Sequence, residues 1–294
     1  MGKSREIKKR MKAVGNIRRI TKTMQMIATS KFSKAQQTAT ASKPYTAALS
    51  DLVSELAART KESSHPLLGG GESRAGREVT LVITSDRGLC GPYNGNIIRT
   101  AMRHLRSHEP AARGRIEVVG KKGANVLRFN EFPVAAHHTQ FGDKPRYEEV
   151  ERLARDYIER FTRGEIDAVR VIYMRYISAG QQKPEILQLV PFDHSRAGNH
   201  AHTGKSHMHA LYEFSPSAEE LLDTLLPAAV KAVLFQAFND AIVSEHVARM
   251  VAMKSATDNA GKMRKRLQRQ YNRARQAQIT TELTEIISGA QALG

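Results

Sequence analysis

Apolar side chains recur at intervals of mostly three or four residues along the first 58 residues of the chain. Lysine and arginine fall mainly between them, off the apolar stripe, and only one proline interrupts the segment. This spacing is typical of a helix with one buried face. We therefore predict an N-terminal helix over residues 1–58, whose stripe consists of Ile7, Met11, Val14, Ile17, Met24 and Ile27.

A different pattern follows a stretch rich in Gly, Ser and Pro at residues 63–76, which predicts a loop. Short β-branched runs lie at 79–85, 115–120, 167–176 and 184–192. Helical pieces lie between them at 94–107, 122–129 and 146–164. Strands that alternate with helices favour a sheet with crossover connections. We predict a small, Rossmann-like α/β domain over residues 77–192 and a polar loop over 193–214.

The last predicted element is a second long helix over residues 215–290, with Ser215 as N-cap and Pro216 in its first turn. Pro227 should kink or restart it, and no proline follows. From residue 227 to 288 this helix would be about 93 Å long, so it must project from any core of this size. Its inward seam would contain Val243, Val247, Met250, Met253, Thr257, Ala260, Met263, Leu267, Tyr271, Ala274 and Gln278.

Two long helices at opposite ends of the chain can bury their apolar stripes against each other. We predict an antiparallel coiled coil with the α/β domain at its base, an α+β fold rich in helix. The small side chains at 256–261 allow a close approach of the two helices. The C-terminal helix would outrun its partner, and its unpaired end should fray in water unless another molecule covers it.

Charge is concentrated at the two ends of the chain. Residues 1–58 contain 12 Lys and Arg against 3 Asp and Glu, and residues 227–294 contain 10 against 5. Acidic partners should therefore meet the helical ends. The single cysteine, Cys90, excludes an internal disulfide and fits a reducing compartment. No signal-peptide pattern or purely apolar run of about 20 residues occurs, so we expect a cytoplasmic location with no membrane span.

Three motifs resemble the gamma subunits of F-type ATP synthases. They are REIKKRMKAVGNIRRITKTMQMIATSKFSKAQ at 5–36, TSDRGLCGPYNGN at 84–96, and the stretch from ARMVAMKSATDNAGKM at 248 to ITTELTEIISGA at 290. The resemblance implies a central-stalk rotor subunit. Its expected partners are the alpha and beta subunits of the catalytic hexamer, the epsilon subunit and the ring of c subunits at the cytoplasmic face of the inner cell membrane. It implies no catalytic residue, no cofactor and no bound metal.

The resemblance also carries residue roles. Positions that the family uses for contact with beta, or for coupling of the two helices, correspond here to Met24, Arg249, Gln276, Thr280 and Glu282. Tyr212 and Glu213 match a stretch near the c ring. Met24 could equally be a plain seam residue, and Gln276 and Thr280 could belong to a solvated face. Arg249, in an apolar stretch, should require a carboxylate partner.

The sequence departs from the family pattern near the C-terminus. Thr281 stands where the family commonly has glutamine, which puts one polar contact in doubt. A run of cations without any acid, called the basic collar below, consists of Lys262, Arg264, Lys265, Arg266, Arg269, Arg273 and Arg275. We expect the collar to attract acidic loops of the beta subunits, although a solvated basic face would have the same composition.

Other readings remain open at this point. A basic coiled coil could bind nucleic acid, although only 17 aromatic residues and no Trp are present for base stacking. A nucleotide-dependent enzyme is weaker still, because the chain has no phosphate-loop signature and no acid–base constellation. Cys90 should be a buried, unreactive side chain, and Gly88 and Gly91 should simply make a turn. Metal binding by the histidines at 194, 200, 202, 207 and 209 lacks regular ligand spacing.

Overall fold

The computed structural model of the chain describes residues 2–59, 65–68, 77–192 and 218–291. Helix α1 spans Gly2–Arg59 and helix α6 spans Ala218–Gln291. The chain divides into unit 1, residues 1–30 and 249–294, and unit 2, residues 31–248. Both long helices contribute to both units. The predicted loop at 193–214, the cap at Ser215, and Tyr212 and Glu213 lie outside the described residues.

Unit 1 is an antiparallel pair of helices. The hydroxyl of Ser4 donates to the side-chain carbonyl of Gln278 at 3.1 Å. Further along, the hydroxyls of Thr257 and Thr21 lie 2.8 Å apart. Low residue numbers on α1 thus meet high numbers on α6, which confirms the predicted antiparallel coiled coil. The buried seam positions are Val14, Thr21 and Ala28 on α1 and Met253, Thr257 and Ala260 on α6.

The predicted stripe of α1 is wrong at Ile17 and Ile27, which are 52% and 53% exposed. The buried positions Val14, Thr21 and Ala28 repeat every seven residues, the period that keeps one face of a helix against a partner. Ile17 and Ile27 lie off that face. Thr21 is buried instead, because its hydroxyl accepts from Thr257 and donates to the carbonyl of Arg18 at 3.1 Å.

The predicted seam of α6 is also wrong at Met263, which is 55% exposed. At this level Arg18 lies beside Gly261, with its Nε 3.6 Å from the point where a Cβ would stand. The arginine stem therefore covers the seam next to Gly261 while the methionine faces outward. The seam resumes at Leu267, Tyr271, Ala274 and Gln278, which are half-buried as predicted.

Unit 2 contains a five-stranded sheet in the order β3-β2-β1-β4-β5. The strands are β1 Glu78–Ile83, β2 Arg115–Val119, β3 Val134–His138, β4 Ala168–Ser178 and β5 Gln181–Val190. The first four pair in parallel, and β5 is antiparallel to β4. The connecting helices are α2 Tyr93–Ser107, α3 Glu109–Ala112, α4 Lys121–Phe129 and α5 Tyr147–Thr162, and a short 3₁₀ turn covers Pro66–Leu68. This confirms the α/β prediction. Strand β3 was missed because its sequence, VAAHH, has one β-branched residue.

The two faces of the sheet pack on different helices. Val82 belongs to an apolar cluster with Ile97 of α2 and Leu127 of α4. Leu81, next along β1, belongs to the opposite cluster with Tyr157 of α5 and with side chains of α1 and α6, including Val53. All six residues of β1 are buried, as expected for a central parallel strand covered on both sides.

Helix α6 continues through Pro227 without the restart that was one of the two predicted outcomes, and a kink at this residue stays a prediction. A window within Glu220–Gln291 has mean hydropathy 1.5 and would pass for a membrane span by length and composition alone. Leu222, Leu226, Val230 and Leu234 of this helix are fully buried in the core that includes the sheet. Burial within the protein accounts for the apolar character.

Two carboxylates are buried inside the sheet. Glu78 accepts from the Nε2 atoms of His104 and His108 at 3.0 and 3.1 Å. Glu117 contacts the Nε2 of His138 and accepts from the hydroxyl of Tyr157, both at 2.9 Å. Burial alone would raise the pKa of Glu117, but the hydrogen bonds from His138 and Tyr157 outweigh it and hold that pKa below its ordinary value. Glu117 therefore stabilises the fold as an anion.

Glu117→Gln should lower the free energy of unfolding at pH 7 by about 3 kcal/mol, because an amide would turn donors toward the guanidinium of Arg160, whose Nη1 lies 3.4 Å from Oε1 of Glu117. Since the folded pKa is depressed, the contribution is complete above the unfolded value of about 4.3 and is lost as pH falls through the folded value. Denaturant unfolding from pH 7 to pH 3 checks this. Glu159→Gln, in an exposed pair with Arg163, is the control. A gap between wild type and Glu117→Gln that stays constant down to pH 3 would contradict it.

Candidate functional site: the coiled-coil tip, the basic surface and the closed crevice

Helix α6 continues beyond its last described contact with α1, the bond between Ser4 and Gln278. All described side chains from residue 279 to 291 are exposed. Ile279, Leu283, Ile286 and Ile287 are among them, and their spacing of four, three and one places them along one side of the helix. An apolar stripe of this kind on an unpaired helix has nothing to cover it among the described residues. We call residues 279–291 the tip.

The predicted contact residues near the tip are displayed at the surface. Gln276, Thr280 and Glu282 are exposed. The hydroxyl of Thr280 donates to the backbone carbonyl of Gln276 at 3.0 Å, and Glu282 accepts from the amide of Gln278 at 2.9 Å. Met24 and Arg249 are half-buried. Their roles in contact with another subunit stay predictions.

The basic collar is exposed along its whole length. None of its seven cations forms an ion pair with any residue that the structure describes. Arg264 also borders a groove whose other wall is α1. The groove is lined by Arg5, Lys8, Lys9, Met11, Lys12, Gly15, Asn16, Arg18, Arg19 and Arg264. The collar thus continues onto α1 as one cationic surface without a carboxylate in its lining.

Sequence reasoning treated the cations of α1 only as charges that separate apolar positions. It did not place them beside the collar, because the register of the two helices decides which charges become neighbours. The net charge of residues 1–58 was the one signal that could have suggested it. Ile17 and Ile27 were likewise assigned to the seam, although they face outward and, together with Ile20, add apolar area to the surface of the coiled coil.

The carboxyl edge of the parallel strands in unit 2 is where folds of this topology bind ligands. Here α6 lies across that edge. Phe238, Ala241, Ile242 and Glu245 line the crevice together with the ends of β1, β2 and β3, and about 20 Å³ remains open. Such a space holds about one water molecule, whereas ligand pockets are typically about 300–1,000 Å³. A nucleotide cannot enter this crevice.

Hydrogen bonds hold α6 in the crevice. The hydroxyl of Tyr93 donates to the backbone carbonyl of Ala241 at 3.0 Å. The hydroxyl of Ser244, also on α6, donates to the backbone carbonyl of Met174 on β4 at 3.1 Å. The rings of Phe141 and Phe238 lie 4.6 Å apart, centroid to centroid. These contacts replace the ligand that the topology would otherwise accommodate.

The loop after β1 satisfies its own polar groups. The backbone N–H of Ser85 donates to the side chain of Asn94, and Asp86 accepts from the N–H of Lys121, both at 3.0 Å. Gly91 has φ of 56°, as a turn glycine can, but the other left-handed residue is Leu89 at 62° rather than Gly88. Cys90 is buried, as predicted. The loop joins strand and helix and holds no phosphate cradle.

A metal centre has no support in the described part of the chain, where no group of three or more potential ligands is arranged to hold an ion. The five histidines that invited a metal interpretation lie at 194–209, outside the described residues. The described site is therefore a set of surfaces: an unpaired apolar tip and a continuous basic face in unit 1, and a helix-filled crevice in unit 2.

A family model described as ATP synthase matches residues 3–293. The ATP synthase gamma chain of Rhodopirellula baltica is 42% identical over 295 residues, covering 100% of this chain and 99% of that one. The gamma chain of Desulfitobacterium hafniense is 39% identical with full coverage of both. In fold, the chain is similar to one from the Euglena gracilis mitochondrial ATP synthase, OSCP/F1/c-ring, in rotational state 3. That likeness has a TM-score of 0.65 at 19% identity, and it covers 99% of this chain and 95% of the other.

The matches agree with the three sequence motifs, and nothing among them favours a nucleic-acid-binding coiled coil. They also agree with a structure that has a coiled coil and a five-stranded sheet whose carboxyl edge is filled by a helix. The alignments to these gamma chains cover the whole chain at about 40% identity, so the similarity is not confined to one segment. The chain belongs to the family of ATP synthase gamma chains, non-catalytic subunits of the central stalk.

Proposed function

We propose that this subunit rotates within a hexamer of alpha and beta subunits and couples the turning of a c-subunit ring to conformational change in the catalytic beta subunits. The observation that carries the proposal is the tip, residues 279–291, because its apolar stripe is exposed and unpaired in the described chain. A surrounding ring of subunits would cover that stripe on every side. Burial of apolar area at roughly 25 cal/mol per Å² would stabilise a helix that frays when it stands alone.

Coupling requires that different orientations of the subunit favour different beta conformations. A ligand shifts such an equilibrium only through contacts that differ between the states. The coiled coil offers these differences, because its exposed surface is cationic along the collar and groove and apolar at Ile17, Ile20 and Ile27. As it turns, each beta subunit would meet a cationic surface and then an apolar one. Met24, Arg249, Gln276, Thr280 and Glu282 are the individual contacts we propose.

The remaining partners follow from membership in the complex. We infer that the subunit binds epsilon and the c ring and so lies at the cytoplasmic face of the cell membrane, attached through the complex. Tyr212 and Glu213 are the proposed residues at the c-ring end. Neither a cofactor nor a metal enters the role, since the bond chemistry belongs to the beta subunits.

The direct test mixes this chain with its cognate alpha and beta subunits and follows assembly and MgATP hydrolysis. We expect a stable complex whose hydrolysis requires this chain and falls when residues 279–294 are deleted. Omission of the chain is the control for background hydrolysis by alpha and beta alone. Failure to co-assemble, together with salt-sensitive binding to DNA, would instead support the nucleic-acid alternative.

Amide hydrogen exchange tests the position of the tip. In the isolated chain, amides of residues 279–291 should exchange within seconds, because an unpaired helical end opens readily. In the assembled hexamer the same amides should slow by at least about 100-fold, which corresponds to about 2.7 kcal/mol of added protection. Amides of buried β1 should exchange at the same rate in both states. Fast exchange of the tip after assembly would contradict its enclosure.

Neutralisation of the collar tests its proposed attraction to acidic loops. Lys265→Gln, Arg266→Gln and Arg269→Gln together should weaken assembly about tenfold at low salt, since exposed ion pairs contribute about 0.2–1 kcal/mol each. The effect should shrink as salt rises toward 1 M, where the screening length falls to about 3 Å. The matched control replaces Arg99, Arg103 and Arg128, three exposed arginines of unit 2, by Gln. An unchanged salt dependence in the collar variant would favour the solvated basic face.

A further inference from the structure

A carboxylate at the edge of the sheet in unit 2 is approached by cationic side chains from two other segments. Asp143 lies in the loop after β3. The ammonium of Lys31, on α1, donates to its Oδ2, and the guanidinium of Arg87, in the loop after β1, lies 4.0 Å from the same oxygen. His246, on α6, adds to the electrostatic lowering of the pKa of this carboxyl. We call these four residues the Asp143 cluster.

The cluster is only partly open to water. The side chains of Lys31 and Asp143 are 39% and 35% exposed, and His246 is buried. Partial burial opposes ionisation of Asp143, but the hydrogen bond from Lys31 and the surrounding charges outweigh it and lower its pKa. The carboxylate is thus an anion at neutral pH, contacted by Lys31 of α1 and by Arg87 of the loop after β1.

Apolar packing and hydrogen bonds also join the sheet region to the two helix segments of unit 2, and Lys231 on α6 pairs with Glu151 on α5 at 3.0 Å. Phe238 of α6 packs against Phe141, and Leu49 and Val53 of α1 lie in the core shared with the sheet. Apolar packing is not directional, and packed elements can slide past one another by small shear motions. A carboxylate paired with a cation of α1 resists such sliding, because displacement of α1 lengthens a charged contact.

We propose that Asp143 is a positioning residue that fixes the α/β part of unit 2 against residues 31–59 of α1, so that torque passes between them without slip. This inference rests on the proposed rotor function. The residue touches no reacting group. It acts by holding rigid the joint through which a load applied to the α/β part would reach α1.

The test uses the complete ATP synthase complex in proteoliposomes and the variant Asp143→Asn, which keeps the shape of the side chain and removes its charge. We expect ATP-driven proton pumping per ATP hydrolysed to fall at least threefold against an opposing gradient. Hydrolysis by the hexamer with this subunit alone, which carries no load, should change less than twofold. Asp143→Glu should restore most of the coupling, and Glu159→Gln is the control for loss of a surface carboxylate.

Lys31→Met provides a second variant on a different element. It should show the same loss of coupling, and the double variant with Asp143→Asn should be no worse than either alone, because the two residues share one interaction. Torsional fluctuation of a bead fixed to the α/β part, with the hexamer immobilised, should at least double in variance in both single variants. Unchanged coupling and stiffness in both would overturn the inference. Absence of hydrolysis with the wild-type chain would instead overturn the rotor function.

Discussion

The packing of α6 across the carboxyl edge of the parallel strands is the contact on which the arrangement of unit 2 depends. Phe238 and Ala241 fill the place that a ligand occupies in many sheets of this topology, and Tyr93 and Ser244 bind the helix there through backbone carbonyls. The same helix completes the apolar core on one face of the sheet. A single element therefore closes the crevice, buries the sheet and anchors the pair of long helices.

Sheets of this topology often bind nucleotides at their carboxyl edge. The position of α6 explains how the same topology can occur in a non-catalytic subunit. The phosphate-binding turn of such folds needs free backbone N–H groups at a helix start. Here the loop after β1 directs its polar groups inward, to Asn94 and toward α4, and the crevice retains about 20 Å³. The sheet has become a rigid support for helices. The surfaces exposed for contact with other subunits are the coiled coil and the tip, not the crevice at the sheet edge, as expected for a family of central-stalk subunits.

The coiled coil of unit 1 meets a different constraint. Its seam alternates small and polar side chains, such as Ala28, Ala260 and the Thr21–Thr257 pair, with few large apolar residues. Close approach of the helices keeps the rod thin, at the expense of buried apolar area. Large apolar side chains such as Ile17, Ile20 and Ile286 remain outside. Exposure of these apolar side chains to water is unfavourable in the isolated chain. It would be relieved if other subunits covered them.

Periodicity, composition and motifs were sufficient to determine the two long helices, the α/β nature of the middle and the family, because each is recorded in local spacing or in residues adjacent in sequence. The tertiary structure decided what depends on register and on distant partners. Thr21 rather than Ile17 lies in the seam, and α6 continues through Pro227 without a restart. Strand β3 forms from a weak strand sequence because it pairs with β2. The tertiary structure also joined Arg264 to the cations of α1 and brought Lys31 to Asp143. The paired residues lie 18 or 19 positions apart in β2 and β3 and more than a hundred apart for Lys31 and Asp143. Such pairing energies leave no local trace, so the sequence alone could not place these contacts.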